Sequence, residues 1–417
     1  MKEIAMLEAL PPTPARQKYL GSTGVVAFIA LMNMFIPLST DLYLPALPKM
    51  SQYFQSNPAV TNLTLSIFFI FYAAGILFWG PLSDKYGRKP ILLLGNIIYL
   101  ASTVACALST NVYALIMARA VQGVGAGAIT TVSVAMVKDC FTGKKRESIL
   151  AIIQSISGIA PMIAPIIGAF LLTFSSWRGS FWTLAAIGVI NLALTLLYQE
   201  SLQENERYKG TLLGSMGRLL VVARNRSFFF PTLIFSLLAL PFMGYIAVSS
   251  YIYVDAFGLS EQVYSYFFAA NALVSILGPF LYVRLFSQMN KKAFATCCFV
   301  AAAASGVLVM TIGTRSPALF LLSFVWMSLS FTATRPFSMS ILFRQQQGDT
   351  GSVSSIINTV TTVFGSIGMA VASVAWGNIV IGLGVLITAM ALISLAGWHL
   401  FLRSNLPFHG VKEQPNK

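Results

Sequence analysis

Twelve apolar runs, each long enough to cross a bilayer, decide what this chain can fold into. They fall near residues 22–47, 61–80, 91–110, 112–137, 148–174, 179–199, 228–254, 263–286, 293–313, 317–342, 352–375 and 378–402. A membrane-spanning helix needs about 20 such residues. Backbone N–H and C=O groups at that depth must be satisfied within the segment, so the runs are predicted to be helices. Charge agrees. Only 10% of the residues are charged, against about 25% in a soluble domain. The expected class is an all-α membrane protein with twelve transmembrane helices.

The net charge of +14 raises nucleic acid as a partner, and the positions of the charges exclude it. Of the 27 Lys and Arg residues, Lys49, Arg178 and Arg315 fall in loops on one side, and Arg119 and Arg335 lie inside runs. The remaining 22 all fall on the other side. That is the positive-inside bias of a membrane protein. It places both termini and the long break at 200–226 in the cytoplasm.

The first 20 residues mix charges and contain Pro, and the run that follows is too long for the core of a signal peptide. Cys106, Cys140, Cys297 and Cys298 show neither metal nor disulfide spacing. No metal-ligand set, cofactor motif, phosphate loop or nucleophile–base pair is present, so ATP drive, a membrane enzyme and a receptor are all set aside.

Six runs precede the 200–226 break and six follow. The expected organisation is a tail at 1–20, a six-helix bundle at 21–199, a cytoplasmic linker at 200–226, a second bundle at 227–403 and a tail at 404–417. Part of the linker is a candidate amphipathic surface helix. An internal repeat supports two halves: Gly80-Pro81 recurs as Gly278-Pro279, 278 − 80 = 198 residues later, and each precedes a short basic turn. Parallel repeats of six spans are a transporter architecture.

Of the 13 acidic residues, 12 lie in loops, tails or the ends of runs, and Asp41 alone sits well inside one. A charge there costs about 2.5–3.5 kcal/mol on insertion scales, so such groups mark proton, ion or substrate paths. Arg119, in the fourth run, lies at a similar depth, roughly 10 Å below the outer end at 1.5 Å per residue. The pair reads either as a permanent structural ion pair or as a functional couple. Pro37 and Pro45 are expected to kink the first run. Arg335 reads either as snorkelling to the interface or as lining the inner mouth. Gly123, Gly125 and Gly127 suit close helix packing. His399 and His409 lie at or beyond the last run and are poor proton relays.

The turn after the second run reads Gly80-Pro81-Leu82-Ser83-Asp84-Lys85-Tyr86-Gly87-Arg88-Lys89-Pro90. It closely resembles the G-x-L-S/A-D-R/K-x-G-R-R/K signature of the major facilitator superfamily. The resemblance implies two six-helix bundles around a central cavity. It also implies that Asp84 docks on the start of the eleventh helix, making Gly80, Asp84, Gly87 and Arg88 a conformational latch. Arg119-Ala120-Val121-Gln122-Gly123 resembles the R-x-x-Q-G motif of proton-coupled members. Gly158, Pro161, Pro165 and Gly168 resemble the drug-antiporter motif, with Ala160 and Ala169 as departures. Trp177-Arg178 with Phe181 also fits.

The segment Thr40 to Pro48 is similar to the start of the Bcr/CflA subfamily, which exports drugs such as bicyclomycin and chloramphenicol. Tyr245-Ile246-Ala247 and Phe268-Ala269-Ala270-Asn271-Ala272 look like its seventh and eighth spans. The resemblance implies a proton-coupled drug antiporter working by alternating access in a bacterial cytoplasmic membrane. Its partners are then protons, a small drug and lipid, and a monomer is expected. Asp41 and Arg119 are the expected proton-coupling residues. Asp41, Tyr43, Gln122, Tyr245, Ser249 and Asn271 are candidate substrate contacts, with packing equally open for Tyr245, Ser249, Tyr253 and Asn271. The alternative is a transporter of a defined metabolite: a nucleoside, sugar or amino acid derivative.

Overall fold

The structure, a computed structural model, describes residues 17–210, 212–345, 350–409 and 411. Eleven helices among them are long and apolar enough to cross a membrane. They are span 1 (Gly21–Tyr53), span 2 (Pro58–Tyr86), span 3 (Arg88–Leu108), span 4 (Val112–Cys140), span 6 (Arg178–Leu197), span 7 (Arg226–Ala256), span 8 (Glu261–Phe286), span 9 (Lys291–Thr311), span 10 (Pro317–Gln345), span 11 (Ser352–Ala372) and span 12 (Ile379–Arg403). Span 5 is the 29-residue helix Gly143–Leu171, with an apolar stretch at Ile159–Leu171. Twelve helices thus stand where the twelve runs predict them.

Local chemistry sets the ends. Asn57, Asn111, Ser260, Ser316 and Asn378 each accept a backbone N–H bond at the start of a span. That satisfies donors a helix leaves free. Pro at the first turn of spans 2 and 10 removes one such donor outright. Span 2 continues past its apolar run to Tyr86, with Lys85 in the last turn to complement the negative end of the helix dipole.

The spans form two six-helix bundles. Spans 2 and 4 and spans 3 and 4 pair in the first bundle; spans 8 and 10 and spans 9 and 12 pair in the second. The bundles meet where span 2 packs on span 11 and span 5 on span 8. The linker and the last turn of span 12 share one end, called here the linker end; the other is the far end. A linker helix (Leu212–Arg224) lies against spans 2, 7 and 11.

Glycines on span 4 face two neighbours in turn. A Cβ at Gly123 would strike the Phe68 carbonyl of span 2, one at Gly125 would lie 2.7 Å from the Tyr99 nitrogen of span 3, and one at Gly127 would lie 2.9 Å from Gly75 of span 2. Backbones therefore touch with no side chain between them.

A deeper repeat appears in the contacts of span 1 with span 5 and of span 7 with span 11. A Cβ at Gly168 would land on the Leu42 carbonyl oxygen, and one at Gly368 on that of Leu240. The two halves thus reuse one close approach. Gly168→Ala has no room to relax against that backbone. We expect it to destabilise the first bundle by about 1–3 kcal/mol, visible as a lowered unfolding midpoint of the detergent-purified protein. An unchanged midpoint would show that spans 1 and 5 part easily.

Candidate functional site

Span 1 is not one continuous helix. Its first part ends at Asp41, a 3-10 turn covers Leu44–Ala46, and a short helix runs Leu47–Tyr53. Pro45 and Pro48 lack the N–H groups that would continue the ladder. Pro37, by contrast, lies inside the first part. Span 7 is interrupted too, at Leu237–Leu238, and ends in a π-helical stretch, Tyr251–Ala256. Broken helices in corresponding positions of the two halves point to a transporter's binding region.

A break leaves carbonyls of the last turn without intrahelical donors, and Arg119 meets one of them. Its Nη1 donates to the Ser39 carbonyl at 3.0 Å and to Gln122 Oε1 at 2.5 Å, and its Nε donates to the Thr64 carbonyl at 3.1 Å. Gln122 Nε2 passes the network to Thr103 Oγ1 at 2.7 Å. Ser39 Oγ lies 2.6 Å from the Tyr99 hydroxyl, and the Tyr43 hydroxyl 3.1 Å from Thr64 Oγ1. The guanidinium sits 4.2 Å from the Phe68 ring centre and 4.9 Å from that of Tyr43, with Phe181 behind. Arg119 is completely buried, and its Nη2 has no hydrogen-bond partner.

Asp41 does not pair with Arg119. The similar depth of the two residues suggested a pair. Among the described residues, no ion pair joins them. The guanidinium is taken up instead by the carbonyl two residues earlier, which the helix break frees. Asp41 is 5% exposed, and its Oδ1 accepts from Thr40 Oγ1 at 2.9 Å. It is the one acid among the described buried residues. Tyr264, on span 8, is buried in the second bundle.

Tyr264 leads into the second bundle's aromatic wall. Its hydroxyl lies 3.0 Å from Ser249 Oγ. Tyr245 stacks on Phe324 at 4.0 Å and on Phe268 at 5.9 Å. The hydroxyls of Tyr245 and Tyr253 are both buried and interact with each other. Asn271 Oδ1 accepts from Ser328 Oγ at 2.8 Å, joining span 8 to span 10. The candidate substrate residues thus form two groups: Asp41, Tyr43 and Gln122 around the break in span 1, and Tyr245 and Ser249 around Tyr264. Asn271 sits in a helix-to-helix contact.

At the linker end, Arg88 Nη1 donates to Asp84 Oδ1 at 2.5 Å and Arg88 Nε to Asp139 Oδ2 at 2.9 Å. Glu200 accepts from the backbone N–H groups of Arg88 and Lys89, capping span 3. Gly87, at φ 103°, makes room for that cap. Gly80 faces Thr131 of span 4. The Asp84 side chain is 56% exposed. The expected docking of Asp84 on the start of span 11, a helix that runs Thr350–Ala372, does not appear among the described residues: the Asp84 carboxylate is taken up by Arg88 of its own turn. Gly158, Pro161, Pro165 and Gly168 all lie within the helix of span 5. Asp139 and Glu200 carried no motif; only the three-dimensional closeness of residues 51 and 112 positions from Arg88 reveals them.

Arg335 neither snorkels nor lies free. It donates to Thr361 Oγ1 at 3.2 Å and Asn358 Oδ1 at 3.3 Å of span 11, beside a small polar cavity that Ser236 and Ser338 also line.

The hydrogen bonds between the bundles lie, among the described residues, at the far end. Asn62 Nδ2 donates to Ser373 Oγ at 2.8 Å, and Ser51 Oγ lies 2.8 Å from the Tyr251 hydroxyl, which also reaches the Leu47 carbonyl at 3.3 Å. Lys49 pairs with Glu261 at 2.7 Å. Two bundles sealed at one end around broken helices define a membrane transporter.

The chain belongs to the Major Facilitator Superfamily, matching that family over residues 26–369. It is 29% identical over 365 residues to the uncharacterized MFS-type transporter YdgK of Bacillus subtilis, covering 85% of this chain and 89% of that protein. It is 28% identical over 328 residues to the multidrug resistance protein MdtL of Shewanella oneidensis, covering 78% and 82%. It is 25% identical over 285 residues to a bicyclomycin resistance protein homolog of Haemophilus influenzae, covering 68% and 72%. In fold it is similar to a crystallised D-xylose-proton symporter, with a TM-score of 0.70 at 13% identity over 95% of this chain and all of that one. The nucleoside transporter NupG gives 0.68 at 15%, over 90% and 98%.

Proposed function

We propose that this protein is a proton-coupled antiporter that exports small drugs of the chloramphenicol or bicyclomycin kind by alternating access. The observation that carries the reading is Asp41: a buried carboxylate beside a helix break, bonded to Thr40 and joined to no cation among the described residues. Charge in such a place is costly, and a proton removes the cost. Relatives named for multidrug and bicyclomycin resistance support the substrate class.

In this reading the linker end faces the cytoplasm, as the basic loops require, and the bundles 21–199 and 227–403 rock about the far-end seal. Drug enters from the linker end between the Arg119 network and the Tyr245–Phe324 wall. Proton binding at Asp41 from the far side then competes with drug, directly or through the conformation. The Asp84–Arg88 turn latches the linker end when the far end opens.

The test is growth of a pump-deficient bacterial host expressing the chain across an antibiotic panel, with drug-induced proton release from everted vesicles. Resistance together with proton release is expected. Resistance to none of the panel, with uptake of a nucleoside or sugar, would establish the metabolite reading instead.

Two further outcomes are expected. Cysteines placed in the linker react with impermeant thiol reagents only from the cytoplasmic side; labelling from outside reverses the topology. Asn62→Cys with Ser373→Cys, bridged by a short thiol crosslinker, stops transport, and reduction restores it. Full transport by the bridged protein would mean that the far end need not part.

A further inference from the structure

The second bundle carries a groove of about 520 Å³ between spans 7, 11 and 12 near the linker end. That is the size of a small-molecule site, but its walls are almost wholly carbon: Phe230, Leu233 and Leu237 from span 7, Phe364 from span 11, and Leu400 and Phe401 from span 12. Gly397 forms the floor. A Cβ there would press on Ile234 at 3.2 Å, and Ser394 Oγ ties the two spans by donating to the Ile234 carbonyl at 3.2 Å. Phe230 is 46% exposed and Leu400 69% exposed, so the groove opens sideways, toward where the bilayer lies.

Its rim is basic. Arg226 stands one helical turn before Phe230, on the same face, and Arg403 stands three residues beyond Leu400 at the end of span 12. Both are exposed. Neither forms an ion pair among the described residues, and no acid lines the groove. Helix ends are where a spanning helix meets headgroups, and arginines there attract anionic lipid. Drug pockets carry a few placed polar groups that orient the ligand. This groove's hydroxyl, that of Ser404, is already spent on the Phe401 carbonyl at 2.6 Å.

We propose that the groove binds an anionic glycerophospholipid, one acyl chain lying along Phe230, Leu233 and Leu237 and the phosphate held by Arg226 and Arg403. Leu237 belongs to the break in span 7, so the bound chain braces that discontinuity from the lipid side. The proposal is independent of which drug is exported.

The test is native mass spectrometry of the full chain released from bilayers of equal phosphatidylglycerol and phosphatidylethanolamine. The wild type is expected to retain one phosphatidylglycerol in preference. Arg226→Gln with Arg403→Gln should cut that preference about thirtyfold while the protein keeps its unfolding midpoint. Leu233→Trp, which fills the groove, should lose the bound lipid of either kind; Leu400→Trp, at the mouth, serves if the first variant does not fold. Equal retention of the two lipids by the wild type would overturn the headgroup assignment. Undiminished retention in the tryptophan variant would overturn the groove. Capture of chloramphenicol in place of lipid, or a dimer that Leu233→Trp dissociates, would give the groove to another occupant and overturn the proposal.

Discussion

Asp41→Asn is expected to reduce uphill drug export to background while leaving downhill exchange. Asparagine keeps the shape, and its amide oxygen still accepts from Thr40, so the fold survives. What is lost is the ionisable group. Exchange of one proton for a neutral drug moves one charge, worth about 2.3 kcal/mol per 100 mV. That sustains a concentration ratio of about 50-fold at 100 mV, and without coupling the ratio falls to one. Proteoliposomes with an imposed potential and pH difference read this directly. If the Asn variant still concentrates drug, Asp41 is structural and the coupling group lies elsewhere.

Arg119→Ala should be the most destabilising single change among these sites. It removes the donor to the Ser39 and Thr64 carbonyls and to Gln122. Each buried acceptor left without a partner costs about 1–3 kcal/mol, so a loss of about 3 kcal/mol or more is expected in an unfolding titration. Arg119→Lys is the informative companion. A single ammonium cannot reproduce the planar fork, so partial stability with transport lost is expected. A lysine variant that transports at the wild-type rate would mean that only the charge matters. Arg119 would then not act by capping the broken helix.

Much of this was legible in the residues. Apolar run length locates the twelve helices, because a continuous run of about 20 apolar residues fits a spanning helix, whereas a barrel strand is about half as long and alternates. Asp41 and Arg119 stand out because charges inside such runs are rare. Their relation did not follow, because depth along a helix does not say whether the helix continues. The break after Asp41 frees the Ser39 carbonyl, and a backbone oxygen has no signature in a sequence. The aromatic cover of Tyr43, Phe68 and Phe181 was hidden for a related reason: among 31 Phe and 15 Tyr, nothing marks those that stack on a cation. Arg335 was ambiguous because Thr361 and Asn358, which hold it, come from another span. The capping of span 3 by Glu200 looked like an ordinary charged linker.

The far-end seal has a thermodynamic consequence. Its polar part is a few neutral hydrogen bonds, Asn62 to Ser373 and Tyr251 to Ser51 and Leu47, with one partly exposed ion pair. Neutral bonds net about 1 kcal/mol each, and an exposed pair adds about 1 at most. Beyond the apolar packing of span 2 on span 11 and span 5 on span 8, these polar contacts hold the closure by only a few kcal/mol; in the proposed alternating-access cycle, an opposite-facing state a few kcal/mol higher is populated without ligand at roughly the per cent level. In the proposed cycle, a proton or a drug molecule that binds the minor state about a hundredfold better brings the two states to parity, and about ten-thousandfold better reverses the balance.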